Sequence, residues 1–270
     1  MKIKEKELTT QEEFVRNYKR DKYQVSIYRS LIFVLFLFLW EVAANKKWID
    51  SFFFSSPSRV LTCFCDLLMD GSLFVHVGIT LWETVISFIL VFFISLMTAT
   101  LLWYSKKLSA VLEPYLVILN SLPKSALAPL FIVWLGTGTT TIIVAGISVA
   151  LFGSIISFYT GFKQVDEEKI TLIQTLGGSK KDSFLKVVLP GSIPIMLSTT
   201  KVNIGLALVG VIIGEFLAAR RGLGYLIIYG TQVFQLNLVI TSIILLCIIA
   251  MLFYKGIQYV ERKIIKAFKE

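Results

Sequence analysis

The chain has 270 residues, of which 56% are hydrophobic, 13% aromatic and only 17% charged. Soluble globular domains carry about 25% charged residues, so this composition excludes an ordinary soluble domain. The net charge is +9, and the basic residues cluster beside apolar runs. This pattern indicates that the charge binds anionic lipid headgroups and not nucleic acid. We therefore expect an all-α polytopic membrane protein.

Metal, redox and catalytic sites are not predicted. The only candidate soft ligands are Cys63, Cys65, Cys247 and the single histidine, His76, and their spacing is not that of a ligand cluster. The sequence also has no phosphate-binding P-loop pattern and no nucleophile–base pair that can be recognised. We therefore expect no cofactor to be bound by this chain, and no enzymatic activity of its own.

Six apolar runs predict six transmembrane helices, since a helix needs about 20 residues to cross a bilayer. In chain order, the runs cover about 30–44, 75–104, 108–135, 139–159, 193–219 and 236–254. Residues 45–73 are expected to form a polar connection. The predicted domains are an N-terminal tail at 1–29, a transmembrane domain at 30–262 and a C-terminal tail at 263–270.

The third run is interrupted by three prolines, Pro114, Pro123 and Pro129. A broken helix persists in lipid only where its freed carbonyls face protein or water, so this run is expected inside the bundle. Lys124 lies in the break. It is either a cation of the translocation path that favours an anionic substrate, or a lysine that fixes the break through an ion pair or backbone carbonyls. Pro123, Lys124 and Pro129 are our first path candidates.

The fifth run adds two further path candidates, Lys201 and Glu215. They share a helix face but lie about 21 Å apart, so they cannot pair with each other. Each needs another partner, and structural pairing is favoured over substrate contact for both. Four small residues of this run predict close helix packing. They are Gly205, Ala207, Gly210 and Gly214.

The longest polar interruption, Gly161–Pro194, predicts two short helices. Asp166 stands at an N-cap position, and Gly177 with Gly178 supplies a stop that tolerates left-handed dihedrals. The first helix has an apolar face that a partner protein could cover. Its members are Ile170, Leu172, Ile173 and Leu176.

The second short helix is expected to begin at Ser179, because Asp182 three residues later completes a capping-box pattern. Its apolar face is predicted to hold Phe184, Leu185 and Val188, and Pro190 is expected to end it. The alternative for the whole segment is an amphipathic helix lying on the membrane surface.

Charge asymmetry predicts the orientation. Under six spans, the side of the two termini holds 20 lysines and arginines and the opposite side 5. The positive-inside rule then places both termini and the Gly161–Pro194 segment in the cytoplasm.

The polar segment resembles the cytoplasmic loop of permease subunits of ATP-binding-cassette importers, through Gly177, Leu189-Pro190 and Pro194. Further matches to the nitrate/sulfonate/taurine-type branch lie at 122–130, 134–136 and 222–226. The chain departs from the pattern at 171–173, where Thr-Leu-Ile replaces Glu-Ala-Ala, and at Glu83 and Ser87, where that branch often has arginine and glycine.

This resemblance implies a type I importer permease with six transmembrane helices in the cell (inner) membrane. It implies a second permease copy, separate ATPase subunits that hold ATP and Mg and dock on a coupling loop at 161–190, and an extracytoplasmic binding protein that delivers a small solute. Nitrate, sulfonates, taurine and thiamine or pyrimidine precursors stay open as solutes. The alternative function is a secondary transporter or a channel without an ATPase partner.

Overall fold

A computed structural model describes residues 10–267, and every regular element within them is helical. The all-α fold is thereby confirmed. Residues 1–9 and 268–270, which belong to the two predicted tails, lie outside the described residues. The helices are α1 (Thr10–Asn45), α2 (Ser51–Phe54), α3 (Pro57–Met69), α4 (Ser72–Tyr104), α5 (Lys106–Ser121), α6 (Lys124–Leu135), α7 (Thr139–Lys163), α8 (Glu167–Thr175), α9 (Lys180–Ser183), a π-helical turn (Phe184–Val188), α10 (Leu189–Ala218), α11 (Leu223–Gln232) and α12 (Leu236–Ala267).

Five helices of the described chain are long and apolar enough to cross a membrane. Helices α5 and α6 together form the sixth candidate span, with a bend of 96° between them. The predicted number of spans is therefore confirmed. Residues 45–73 connect the first two of these spans, and α2 and α3 fill much of the connection. Asp50 caps α2 through the Phe52 amide at 2.8 Å, and Pro57 stands at the first position of α3, where its missing N–H costs nothing.

The described residues divide into two compact units, 10–62 and 63–267. In the first unit, α1 is largely exposed along its apolar length, as expected of a helix that faces lipid. Its C-terminal part is fixed to the following chain by Glu41, whose carboxylate accepts from the Ser58 amide at 3.0 Å and from the Ser58 hydroxyl at 2.9 Å.

The second unit is built around α4, α7 and α10. These helices approach so closely that a Cβ on Gly210 would lie 2.8 Å from the Ala145 carbonyl oxygen. A Cβ on Gly214 would likewise lie 2.9 Å from the Ile142 Cα. The predicted close packing is confirmed at these two glycines. At Gly205 the single chain has no neighbour within 4 Å of an added Cβ, so close packing at this position stays a prediction.

The α5–α6 segment bends only at Pro123, which precedes α6, while Pro114 and Pro129 lie inside helices. The expectation that this segment lies inside the bundle is wrong for the single chain. Most of its apolar side chains are exposed, with Val133 at 78% and Trp134 at 69%. A face of this kind needs lipid or another polypeptide to cover it.

Candidate functional site

The coupling-loop candidate begins with α8, whose two ends are capped as the sequence predicts. The Asp166 carboxylate accepts from the Glu168 amide at 2.9 Å. At the other end, the Gly178 amide donates to the Ile173 carbonyl at 2.9 Å and the Gly177 amide to the Gln174 carbonyl at 3.0 Å, which is a Schellman motif. Gly177 has a φ of +85°, where a residue with a Cβ is strained.

The apolar residues of α8 do not share one face, so this part of the prediction is wrong. Ile170 is half-buried and packs on a core cluster that includes Phe162 and Val188, and Ile173 is half-buried as well. Leu172 and Leu176 lie one turn apart on the outer side and are 58% and 76% exposed. These two are the most exposed apolar residues of the segment and are available to a partner, whereas Ile170 already packs against its own chain.

The predicted capping box of the second helix is confirmed. The Ser179 hydroxyl accepts from the Asp182 amide at 3.2 Å, and the Asp182 carboxylate accepts from the Ser179 amide at 3.0 Å. Of the three residues expected on its apolar face, Phe184 and Val188 are buried but Leu185 is 49% exposed.

Pro190 does not end the second helix, which corrects the prediction. The residues Lys180–Ala218 form one helical segment that runs through Pro190 into the bundle. The wide π-helical turn just before Pro190 is the physical reason. There the Leu189 amide bonds to the Phe184 carbonyl five residues back, so the helix already departs from the α-helical pattern that proline would disrupt.

The second helix is joined to the last turn of α4. The Lys180 ammonium donates to the Tyr104 carbonyl at 2.6 Å and lies 5.5 Å from the centre of the Trp103 ring. The Phe184 ring packs against Trp103, at 5.1 Å between ring centres, and against Phe162 of α7 at 5.4 Å. This junction was not predicted from the sequence, although the aromatic pair at the end of α4 was a visible signal. The loop helices are therefore in direct contact with two helices of the bundle.

Two of the path candidates make structural contacts. The Lys124 ammonium donates to the Asn120 carbonyl across the α5–α6 break, which is the contact that the structural alternative expects. Lys201 of α10 forms an ion pair with Glu261 of α12, so it has the separate partner that the sequence analysis required.

Glu215 is held in a cradle of neutral donors at the end of α10. Its side chain is 1% exposed, and its two oxygens accept from the Thr80 hydroxyl at 2.7 Å and the Gly224 amide at 2.5 Å. A Cβ on Gly222 or Gly224 would come within 2.4 or 2.8 Å of this carboxylate. The glycines that follow α10 are thus required to leave room for Glu215.

Glu83 is a site residue that the sequence analysis missed. It is 1% exposed, and its carboxyl group is within hydrogen-bonding reach of Thr139 and of the Glu215 carboxyl group. The stripe of polar residues along the otherwise apolar α4 was the available signal. Glu83 lines a cavity of about 380 Å³, named here the Glu83 cavity, at the end of the second unit opposite the loop helices. The other lining residues are Ile79, Thr137, Gly138, Thr139, Ile142, Ala218, Ala219, Arg220 and Arg221.

The five path candidates therefore do not form one site. Pro123 and Lys124 lie at the α5–α6 break, Lys201 contacts α12, and Glu215 contacts α4 and the turn before α11. Pro129 lies within α6.

Comparison with known proteins assigns the family. Residues 91–266 match the family of binding-protein-dependent transport system inner membrane components. The chain belongs to this family. It is thus an ABC importer permease, a multi-pass protein of the inner membrane, and family membership implies ATPase and substrate-binding partners.

Two curated relatives resemble this permease over most of its length. A protein of Haemophilus influenzae named "Probable ABC transporter permease protein" is 30% identical, with 87% of this chain and 95% of the relative covered. The taurine transport system permease protein TauC of Escherichia coli is 26% identical, with 84% and 85% covered.

A solved structure has the same fold. The inward-facing MetNI methionine ABC transporter matches with a TM-score of 0.61 and 22% identity, over 72% of this permease and 94% of that chain.

Proposed function

We propose that this permease subunit forms the translocation path for a small acidic organic solute of the sulfonate or taurine type. The main supporting observation is the Glu83 cavity, which Arg220 and Arg221 line together with Thr137 and Thr139. Guanidinium groups bind sulfonates, carboxylates and phosphates through charge-assisted hydrogen bonds. The similarity to a taurine permease supports the same class of solute.

The coupling loop at 161–190 is proposed to dock the ATPase, which holds ATP and Mg. Support comes from Leu172 and Leu176, a pair of exposed leucines on a short helix that is capped at both ends. This loop is connected to the bundle in two ways. Lys180 contacts α4, and the helical segment Lys180–Ala218 continues from the loop into the bundle.

A second copy of this chain is proposed to complete the path. The exposed apolar side chains of α5 and α6 support a contact of this kind, since α6 buries only Ala128 within its own chain. Both termini and the loop are proposed to face the cytoplasm, on the charge asymmetry described above. Single cysteines at Lys180 and Arg221, in a background without the native ones, test this orientation. An impermeant maleimide that labels both from outside contradicts it.

Uptake by the complete complex tests the proposed function. The permease is co-expressed with its partner ATPase and binding protein, and the complex is reconstituted into vesicles. We expect ATP-dependent uptake of labelled taurine or ethanesulfonate. A complex whose ATPase carries an inactivating change in its P-loop serves as the control. Absence of ATP-dependent uptake of either solute would overturn this assignment.

A further inference from the structure

One oxygen of Glu83 has no hydrogen-bond partner among the described residues, although the side chain is 1% exposed. A buried acceptor without a donor loses the free energy of its hydration, and such groups are uncommon in folded proteins. Glu83 lines a cavity, so a donor that enters the cavity lies beside this side chain. This geometry favours an occupant that carries N–H groups.

The neighbouring carboxylate does not need that occupant. Glu215 already accepts from the Thr80 hydroxyl and the Gly224 amide. Two carboxylates at close range repel each other unless a proton or a cation relieves the repulsion. Glu83 lines the cavity and Glu215 does not, so Glu83 is the member of the pair that lies next to a cationic group in the cavity.

The rim of the cavity has the opposite charge. Arg220 and Arg221 are exposed, and neither forms an ion pair with an acidic residue within the described part of the chain. One cavity thus offers a buried carboxylate and two guanidinium groups. Its volume of about 380 Å³ lies at the small end of ligand pockets and is large enough for a small solute.

We propose that the Glu83 cavity is a binding site for a small zwitterion, whose ammonium group contacts Glu83 and whose acidic group faces Arg220 and Arg221. This inference rests on the proposed function and makes it more specific. The permease then selects zwitterions over simple anions at this end of the path, in addition to any selection by the binding protein.

The full-length permease in lipid nanodiscs tests the site by saturation-transfer NMR titration with three probes. These are taurine, ethanesulfonate, which lacks the ammonium group, and ethylammonium, which lacks the acid. We expect taurine to bind most tightly. Glu83→Gln should weaken taurine binding by about 10- to 100-fold, the range for a charged hydrogen bond, and leave ethanesulfonate binding unchanged. Glu113→Gln is the matched control, since Glu113 is exposed on α5.

Glutamine resembles a protonated glutamate, so the same variant tests whether a proton alone occupies the pair. Unchanged taurine binding in folded Glu83→Gln would overturn the proposal. If this variant fails to fold, a competition experiment on the unmodified permease provides the test. If the site binds an ammonium group, ethylammonium must displace taurine, and its failure to do so would overturn the proposal. If taurine and ethanesulfonate bind equally well while the complete complex shows ATP-dependent uptake, the zwitterion site is contradicted and the proposed function is still supported.

Discussion

The Lys180 ammonium donates to the Tyr104 carbonyl at 2.6 Å and so joins the start of the second loop helix to the last turn of α4. The carbonyls of a helix C-terminus are unpaired within the helix and carry partial negative charge, which makes this end suited to a lysine. Lys180 also faces the Trp103 and Tyr104 rings, so three favourable contacts of one cation converge at this junction.

We expect Lys180→Met to weaken coupling between ATP hydrolysis and transport. Methionine keeps much of the side-chain length but removes the charge, the hydrogen bond and the cation–π contacts, each worth about 0.5–1 kcal/mol at an exposed site. Substrate-stimulated ATP hydrolysis and uptake are measured on the same vesicles. Lys181→Met is the control, because Lys181 is the exposed neighbour. Equal coupling in the two variants would exclude a role for the junction.

Leu172→Glu should weaken ATPase docking by about 10- to 100-fold. Burial of one leucine contributes about 1.5–3 kcal/mol, and about 1.4 kcal/mol corresponds to a factor of ten. Affinity is measured by pull-down against increasing ATPase concentration. Gln174→Glu adds the same charge to an exposed position of α8 without loss of an apolar contact, and it should bind nearly as well as the unmodified loop. If Leu172→Glu binds the ATPase with wild-type affinity, the outer face of α8 is not part of the docking interface.

At Gly177, valine should disturb the angle between the two loop helices, whereas asparagine should be tolerated. The φ of +85° costs a residue with a Cβ about 1–2 kcal/mol, and asparagine adopts such conformations more readily than a β-branched residue. Gly177→Val is therefore expected to lower substrate-stimulated ATP hydrolysis while the protein stays in the membrane. A Gly177→Asn variant with an equal or larger defect would argue against backbone strain as the cause.

Gly224→Ala should destabilise the second unit, because its Cβ would lie 2.8 Å from a Glu215 carboxylate oxygen. Overpacking of this kind costs about 1–3 kcal/mol. The thermal unfolding midpoint in detergent is the measurement. Gly205→Ala is a matched change in α10 with open space around it, and it should leave the midpoint unchanged or higher. A midpoint that falls equally in both variants would contradict the account of the Glu215 cradle.

Local chemistry explains what the sequence analysis predicted well. Asp166, Ser179 and Gly177 act through backbone groups within a few residues of themselves, so their caps could be predicted without knowledge of the fold. The span count likewise depends only on the length and hydrophobicity of each run.

The misses concern contacts between distant segments. Glu83 and Glu215 meet only because α4 and α10 pack in one particular register, which no local pattern specifies. The same holds for Ile170, which faces its own core and not a partner. Pro190 was misjudged for a local reason, because the π-helical turn before it has no recognised sequence signature.

The 39-residue helical segment from Lys180 to Ala218 makes the loop and the Glu83 cavity the two ends of one rod. At 1.5 Å per residue, this rod is about 58 Å long. A tilt of about 5° about one end would displace the other by about 5 Å, which is comparable to one helical turn. Glu215 lies three residues from the far end of this segment, whereas Glu83 lies on α4. A tilt of the segment therefore moves the Glu215 carboxyl group away from that of Glu83. Leverage of this kind needs no chain of side-chain rearrangements through the bundle.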